Sequence, residues 1–198
     1  MSGNVVLASQ SPTRRAVLTG AGVAHDAVSP GVDEEAVKIA MLAQGASPRG
    51  IADALAEMKA VKISIRRPEL VIGADQTLEF EGALYDKAQS MDEARQRLQT
   101  LRGQPHKLHA AVVVAQGGAP IWREIATATL TMRDYSDAFL DEYLAAEGEA
   151  LLGSVGCYRL EGLGAQLFSK VEGDYFAILG LPLMGLLDVL RRHQVISA

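Results

Sequence analysis

The chain has 198 residues and a formal net charge of −5, with 19 Lys and Arg residues against 24 Asp and Glu residues. This length suits a single domain over residues 1–198, built as one unit or as two small lobes that share a core. The negative charge argues against a general nucleic-acid binder and against binding to anionic membranes. No apolar stretch approaches the roughly 20 residues that a membrane-spanning helix needs.

The cysteine content and the N-terminus both bear on the cellular compartment. Cys157 is the only cysteine, so no intrachain disulfide can form, which fits a reducing compartment. Residues Met1–Asn4 lack the basic segment and apolar core of a signal peptide. We therefore expect a cytoplasmic protein, and we interpret Cys157 as a small buried hydrophobic residue.

A predicted strand over Val5–Ala8 is followed closely by the start of a helix. The four residues form a short apolar run that is typical of a buried strand. Ser11 has the features of a helix N-cap, and Pro12 suits the first helical position. We expect this helix to end at Gly20 or Gly22.

Two arginines in or near the first turn of this helix conflict with the helix dipole. Arg14 and Arg15 place positive charge there at a cost of about 0.3–1 kcal/mol each. A bound anion contacted by backbone N–H groups, by the hydroxyls of Ser9 and Ser11 and by both guanidiniums would remove the conflict. The sequence therefore predicts a phosphate-binding segment. The alternative is that both arginines reach solvent or surface carboxylates.

The rest of the chain predicts a mixed α/β fold with parallel and antiparallel strands. The apolar run Leu70–Ala74 is typical of a strand buried on both faces, and it places Asp75 at its C-terminal end, where α/β sheets often bind ligands. The alternative is that the strand continues over Gln76–Phe80 as far as a turn at Glu81-Gly82. Predicted strands follow at Leu108–Ala115, Thr127–Met132 and Ala165–Val171, and predicted helices occupy Ala36–Ala43, Pro48–Arg66 and the segments after Ser90, Ser136 and Leu181.

Cations and carboxylates elsewhere in the chain complete a set suited to phosphate-ester chemistry. Lys59 falls on or beside the apolar face of its predicted helix, and Lys87 lies in a loop. Carboxylates such as Glu34 and Asp75 can hold Mg²⁺, and one of them can deprotonate an attacking water. The structural alternatives are a turn-initiating role for Asp75 and a helix-start role for Glu34.

Several common functional motifs are absent from the sequence. There is no Walker A motif, no dinucleotide fingerprint and no nucleophile elbow. His106 and His109 lie three residues apart in a predicted strand, so their side chains should point to opposite faces and should not share a metal ion. We expect both histidines to lie on the polar surface.

The chain resembles the Maf family of nucleotide pyrophosphatases over nearly its whole length. Each matching segment is short, but the segments occur in the family's order. They are Leu7–Arg15, Val32–Glu34, Ala56–Ala60, Ile72–Gln76 with Lys87, Glu161–Gly164 and Glu172–Leu183. The resemblance implies a two-lobed α/β fold, similar to inosine triphosphatases, with a central cleft.

The resemblance also implies an activity and roles for individual residues. It implies hydrolysis of a nucleoside triphosphate to the monophosphate and pyrophosphate, dependent on Mg²⁺ or Mn²⁺, by an enzyme that often forms homodimers. Asp75 matches the catalytic base, and Glu34 matches the acidic position near the metal, where Asp75 also lies. The positions expected to hold phosphates are Ser9, Ser11, Arg14, Arg15, Lys59 and Lys87. A second function for the family is non-catalytic nucleotide binding that regulates cell division and septum formation.

Three positions bear on the choice of base. Gln76 and Glu161 resemble the family branch that acts on 7-methyl-GTP, whereas Thr13 departs from both that branch and the one acting on dTTP and UTP. A carboxylate at position 161 suits the N–H donors of guanine and a cationic methylated base. Asp86 and Ala88 replace the family's glycine and proline on either side of the matching lysine. We expect Ala88, in place of the proline, to loosen that loop without removing the charge of Lys87.

Overall fold

The computed structural model describes residues 4–198, within which seven strands form one sheet and seven helices flank it. The strands are β1 (Val5–Ala8), β2 (His25–Ala27), β3 (Val71–Phe80), β4 (Ala83–Tyr85), β5 (Pro105–Gln116), β6 (Ala119–Met132) and β7 (Phe168–Glu172). The helices are α1 (Pro12–Gly20), α2 (Glu34–Ala43), α3 (Pro48–Ser64), α4 (Met91–Leu101), α5 (Asp137–Glu147), α6 (Tyr175–Ile178) and α7 (Met184–Arg192). Short 3₁₀ segments cover Gly148–Gly153 and Leu163–Leu167.

The sheet combines parallel and antiparallel pairing, which confirms the predicted fold class. The strand order is β2-β1-β3-β5-β6-β7, and β4 pairs with β3 outside this path. Strand β1 pairs in parallel with β2 and β3, and all other pairs are antiparallel. No helix in the described part of the chain has both the length and the apolar character needed to cross a bilayer.

Asp75 lies in the middle of β3, because the strand continues through Gln76 to Phe80, which was one of the two sequence-based alternatives. The parallel pairing between β1 and β3 does end two residues before Asp75, at Gly73 opposite Ala8. The strand continues because its second half pairs antiparallel with β5 as far as Glu79 opposite Lys107. The carboxylate therefore lies just past the parallel part of the sheet, on rigid backbone.

One face of β3 passes from one hydrophobic core to another. Ile72 and Ala74 belong to a core formed with β1, α1 and α7, whereas Leu78 and Phe80 belong to a second core formed with α4, α5 and the start of β5. Gln76 lies between these pairs because side chains alternate between the two faces of a strand.

Helix α3 covers the opposite face of β3 at very short range. A Cβ atom on Gly73 would lie 2.2 Å from the carbonyl oxygen of Ala56 and 2.6 Å from the backbone nitrogen of Ala60. Only glycine therefore allows the helix this close to the strand. The close approach positions Lys59, which lies between these two alanines, over the strand two residues further on.

Some local predictions need correction. His106 and His109 do point to opposite faces of β5, but both are buried, and His106 Nε2 lies 2.7 Å from the hydroxyl of Tyr158. The predicted strand over Ala165–Val171 begins only at Phe168, after a 3₁₀ segment. Cys157 is buried, as expected.

Candidate active site

An ammonium ion between two carboxylates lies at the centre of the site. Lys59 Nζ lies 2.6 Å from Asp75 Oδ1 and 2.8 Å from Glu34 Oε1. Lys59 and Asp75 are 4% and 5% exposed, whereas Glu34 is partly open to solvent. Helix α2, helix α3 and strand β3 each contribute one of the three groups, so the cluster joins three elements.

The environment of Asp75 suits a general base. Burial raises the pKa of its carboxyl group above the ordinary value, although the charges of Lys59 and Arg14 act in the opposite direction. Its Oδ1 accepts the hydrogen bond from Lys59, whereas Oδ2 accepts none from residues 4–198. One carboxylate oxygen is therefore held in place, and the other remains available to a water molecule.

Arg14 connects three separate segments of the chain beside Asp75. Its Nε donates to Gly180 O at 2.8 Å, and its Nη1 donates to Ala74 O at 2.9 Å and to Ser9 Oγ at 3.2 Å. Burial lowers the pKa of Arg14, and the charge of Asp75 opposes that effect, but a guanidinium stays protonated at neutral pH. Neither of the two sequence-based alternatives described this inward orientation.

The predicted phosphate-binding segment keeps some of its donors free. Ser9 Oγ accepts from the N–H of Ser11, and Ser11 Oγ accepts from the N–H of Arg14, so both hydroxyls stabilise the start of α1. Among residues 4–198, no acceptor faces Arg14 Nη2 or the N–H of Thr13. Arg15 is exposed, and its side chain forms no hydrogen bond or ion pair with these residues. These free donors cluster at the helix N-terminus.

Lys87 lies in the exposed loop between β4 and α4, outside the Lys59 cluster. Its side chain forms no ion pair or hydrogen bond with the described residues, whereas its backbone N–H donates to Asp86 Oδ1 at 2.8 Å. The loop is held at both ends by secondary structure, and Ala88 is buried in the second core. Lys87 therefore carries an ammonium group without a partner among the described residues, on a loop that is held at both ends.

Two of the three predicted specificity residues line a single cavity of about 540 Å³. Thr13 and Glu161 lie on its wall together with Arg159, whose Nε is 3.5 Å from Glu161 Oε1. Most of the remaining lining is apolar, with Ala16, Val17, Phe176, Leu179 and Leu183 among the contributors.

Gln76, the third predicted specificity residue, does not line this cavity. Its Nε2 donates to Ala177 O and Ile178 O, both at 2.9 Å. These bonds tie β3 to helix α6 and hold the segment that ends at Gly180, the partner of Arg14. Gln76 therefore holds the backbone between Phe176 and Leu179, which do line the cavity.

Glu34 and Asp75 suit a magnesium ion, whose shell includes waters and substrate phosphates, better than a metal ion that is enclosed by protein side chains alone. Within residues 4–198 there is no group of three or more His, Cys, Asp or Glu side chains that could enclose an ion. Glu34 and Asp75 do converge on one cationic centre, the ammonium group of Lys59. Mg²⁺ is commonly bound by one or two carboxylates, with waters and substrate phosphates completing its shell.

Gly73, Gly180 and Arg159 were not singled out from the sequence. Gly180 has φ +86° directly after α6, and its carbonyl receives the hydrogen bond from Arg14. A glycine at the end of a short helix is the signal that could have identified it. Arg159 gave no comparable signal, because its partner Glu147 lies on α5 and becomes a neighbour only through folding.

Comparison with known proteins gives the family. The model of the family described as "Maf-like protein" matches residues 4–193. The chain belongs to the Maf family. It is 64% identical to the nucleoside triphosphate pyrophosphatase of Caulobacter vibrioides, over 98% of this chain and 97% of that protein. It is 52% identical to the nucleoside triphosphate pyrophosphatase of Granulibacter bethesdensis, over 98% of each chain.

A further Maf relative carries a more specific name. The 7-methyl-GTP pyrophosphatase of Brucella abortus biovar 1 is 44% identical over the full length of both chains. Relatives with both names therefore align with nearly the whole of this Maf chain.

Proposed function

We propose that this Maf protein hydrolyses a nucleoside triphosphate to the nucleoside monophosphate and pyrophosphate, with the help of a divalent cation. The observation that carries the proposal is the contact of Lys59 with both Asp75 and Glu34, close to the guanidinium of Arg14. The names of the Caulobacter, Granulibacter and Brucella relatives support the same reaction.

Asp75 is the proposed base that activates water. Its Oδ2 takes a proton from a water molecule as the water oxygen forms a bond to the α-phosphorus. The bond between that phosphorus and the bridging oxygen of the β-phosphate breaks, and pyrophosphate leaves with the bond's electron pair. Burial keeps the pKa of Asp75 raised, which makes it a stronger base than an exposed aspartate.

The positive groups around the start of α1 are the proposed partners of the phosphates. Arg14 Nη2 and the side chain of Arg15 have free donors, and Lys87 can approach from the opposite loop. Ser9 and Ser11 contribute by fixing the backbone of this turn. Preorganised cations of this kind stabilise the charge that develops on the leaving group.

Glu34 and Asp75 are the proposed ligands of Mg²⁺ or Mn²⁺. The metal would supply positive charge to the phosphate oxygens. Lys59 holds both carboxylates in a common orientation and limits their mutual repulsion, so the pair is prepared before a nucleotide binds.

The proposed substrate is 7-methyl-GTP or another modified or non-standard purine nucleotide. The cavity lined by Thr13 and Glu161 is mainly apolar and has the volume of a small ligand site. The carboxylate of Glu161 can accept hydrogen bonds from the donor edge of guanine or attract a cationic base. The Brucella relative's name agrees with this choice, whereas the names of the relatives with higher identity leave the base open.

The reaction is tested by measuring pyrophosphate release from a panel of nucleotides with Mg²⁺ or Mn²⁺. We expect Asp75→Asn to lower kcat by roughly 10²–10⁴, the usual contribution of a general base. Asp188→Asn removes an exposed aspartate that pairs with Arg191 on α7, and it should retain wild-type turnover. Wild-type turnover in Asp75→Asn would exclude this base. Nucleotide binding without turnover for every nucleotide and metal would instead favour a non-catalytic regulator.

The choice of base is tested by comparing kcat/KM for 7-methyl-GTP and dTTP. We expect the purine to be preferred and Glu161→Gln to reduce the preference. Glu147→Gln is the matched control, because Glu147 also contacts Arg159, at 3.6 Å, but does not line the cavity. A clear preference of the wild type for dTTP would contradict the proposed substrate.

A further inference from the structure

A second ion pair, outside the Lys59 cluster, links helix α2 to the loop that carries Lys87. Lys38 Nζ lies 2.7 Å from Asp86 Oδ2. The Lys38 side chain is only 15% exposed, whereas that of Asp86 is 52% exposed. Lys38 follows Glu34 by four residues on α2, so the two side chains lie on the same face of the helix. The helix therefore contacts Lys59 through its first turn and Asp86 through its second.

Asp86 uses both carboxylate oxygens to fix the loop. Oδ2 accepts from Lys38, and Oδ1 accepts from the backbone N–H of Lys87 at 2.8 Å. Burial alone would raise the pKa of Asp86, but the hydrogen bonds from Lys38 and from the Lys87 N–H outweigh it and lower the pKa. The carboxylate therefore stays ionised at neutral pH and keeps both contacts.

The other side of the loop is held by α4. Arg97 Nη1 donates to the backbone carbonyl of Asp86 and, at 2.6 Å, to Val155 O. The guanidinium of Arg97 also lies over the ring of Tyr85, 4.9 Å from its centroid. Residue Asp86, next to Lys87, is thus held by Arg97 through its backbone carbonyl and by Lys38 through its carboxylate. The Lys87 side chain itself has no partner among the described residues.

Helix α2 makes few other contacts that could hold it against the rest of the protein. None of its residues is fully buried, and an apolar groove of about 590 Å³ separates it from α3. Its segment is held mainly by polar contacts: Glu34 with Lys59, Lys38 with Asp86, and Lys62 with Gly31 O. Loss of the Lys38 contact would therefore loosen both the helix and the loop.

We propose that Lys38 and Asp86 are positioning residues that hold Lys87 at the mouth of the site, ready to contact the phosphates of the nucleotide. This inference rests on the proposed function, because it assigns Lys87 to substrate binding. Lys38 and Asp86 act on substrate binding through Lys87, and neither touches the reacting atoms.

The test compares KM and kcat for Lys38→Met, Asp86→Asn and the double variant. Asn keeps an oxygen that can accept from the Lys87 N–H, so this change removes the charge and the contact with Lys38 but can retain the contact with the Lys87 N–H. A partly exposed ion pair contributes up to about fivefold to an equilibrium constant. We therefore expect each single variant to raise KM about three- to fivefold with kcat within about twofold, and the double variant to match the singles. Asp188→Asn, which breaks the 2.7 Å pair with Arg191, should leave KM unchanged.

Measuring KM for Asp86→Asn in the Lys87→Met variant distinguishes an effect on the position of Lys87 from a general structural effect. In Lys87→Met the phosphate contact is already lost, so adding Asp86→Asn should raise KM no further. An unchanged KM in both single variants would overturn the proposal, and so would an effect of Asp86→Asn that persists in the Lys87→Met background.

Amide hydrogen exchange of the nucleotide-free protein provides a readout that does not depend on the reaction. Asp86→Asn should speed exchange in residues 86–90 and in α2 by about threefold or more, and leave the central sheet unchanged. Unchanged exchange there would overturn the inference even if the wild type is active. Faster exchange combined with no pyrophosphate release from any nucleotide would instead show that the proposed function is wrong.

Discussion

Lys59 and Asp75 form a buried ion pair in which Nζ and Oδ1 are 2.6 Å apart. A buried charge that loses its partner is strongly destabilising, typically by 3–5 kcal/mol. The pair therefore contributes to the integrity of the site as well as to its chemistry.

Lys59→Met should move the acid limb of the pH profile of kcat/KM to higher pH. Burial already raises the pKa of Asp75, and the variant removes the largest effect that opposes burial while leaving the repulsion from Glu34. A carboxyl group with a raised folded-state pKa favours folding at low pH and loses that contribution as pH rises through the folded pKa. The unfolding free energy should fall by about 3–5 kcal/mol at pH 8 and by less at pH 5.

Urea unfolding at the two pH values measures this effect alongside the kinetic profile. Lys62→Met is the matched control, because Lys62 lies one turn further along α3 but is exposed and contacts only Gly31 O. It should change stability by less than about 1 kcal/mol. If Lys59→Met lowered the unfolding free energy equally at pH 5 and pH 8, protonation of Asp75 would not be what reduces the loss at low pH.

Gly73→Ala should weaken both the fold and the site. The added Cβ would lie 2.2 Å from Ala56 O, a backbone atom that can move only together with α3. Overpacking of this kind costs about 1–3 kcal/mol, and it would lift Lys59 away from Asp75. We expect a lower thermal midpoint and a lower kcat/KM. Gly153→Ala, where no atom lies within 4 Å of the new Cβ, is the control and should retain both. A stable and fully active Gly73→Ala variant would contradict the close-packing argument.

Local patterns predicted the parts of the fold that local physics determines. Ser11 and Pro12 start α1, and Ser90 caps α4, because capping uses residues only a few positions apart. The three-residue strands β2 and β4 were missed. Such short segments have too little periodicity to identify them, and they form only because β1 and β3 provide an edge for them.

The sequence predicted which residues belong to the candidate site, but not all of the contacts that they make. The sequence placed Lys59 on or beside an apolar helix face and Asp75 next to a buried apolar run. Because buried charges need partners of opposite sign, an ion pair between these two residues agrees with that placement. The inward direction of Arg14 could not be predicted. Its acceptors Gly180 O and Ala74 O lie 166 and 60 residues away along the chain, so only tertiary structure brings them to the guanidinium.

Arg14→Lys should destabilise the protein even though it keeps the positive charge. A lysine has one amino group and cannot reproduce the bonds that Nε and Nη1 make to Gly180 O and Ala74 O. An unsatisfied buried carbonyl costs about 1–3 kcal/mol, so urea unfolding should show a loss of that size together with a lower kcat/KM. Arg15→Lys is the neighbouring control and should stay within about 0.5 kcal/mol, because Arg15 is exposed. Equal stability of the two variants would contradict the bridging role of Arg14.

His106 should make the protein less stable as the pH falls below neutral. Its Nε2 is paired with the hydroxyl of Tyr158 at 2.7 Å, its Nδ1 is buried with no partner in the described residues, and burial lowers its pKa to about 4. Between that value and the unfolded pKa of about 6.5, the unfolded chain binds the extra proton and is favoured. The wild type should therefore lose up to roughly 3 kcal/mol from this group between pH 7 and pH 4. His106→Gln, which cannot bind that proton, should lose correspondingly less in urea unfolding at the two pH values. Parallel pH dependence of the two proteins would mean that His106 is not kept neutral by burial.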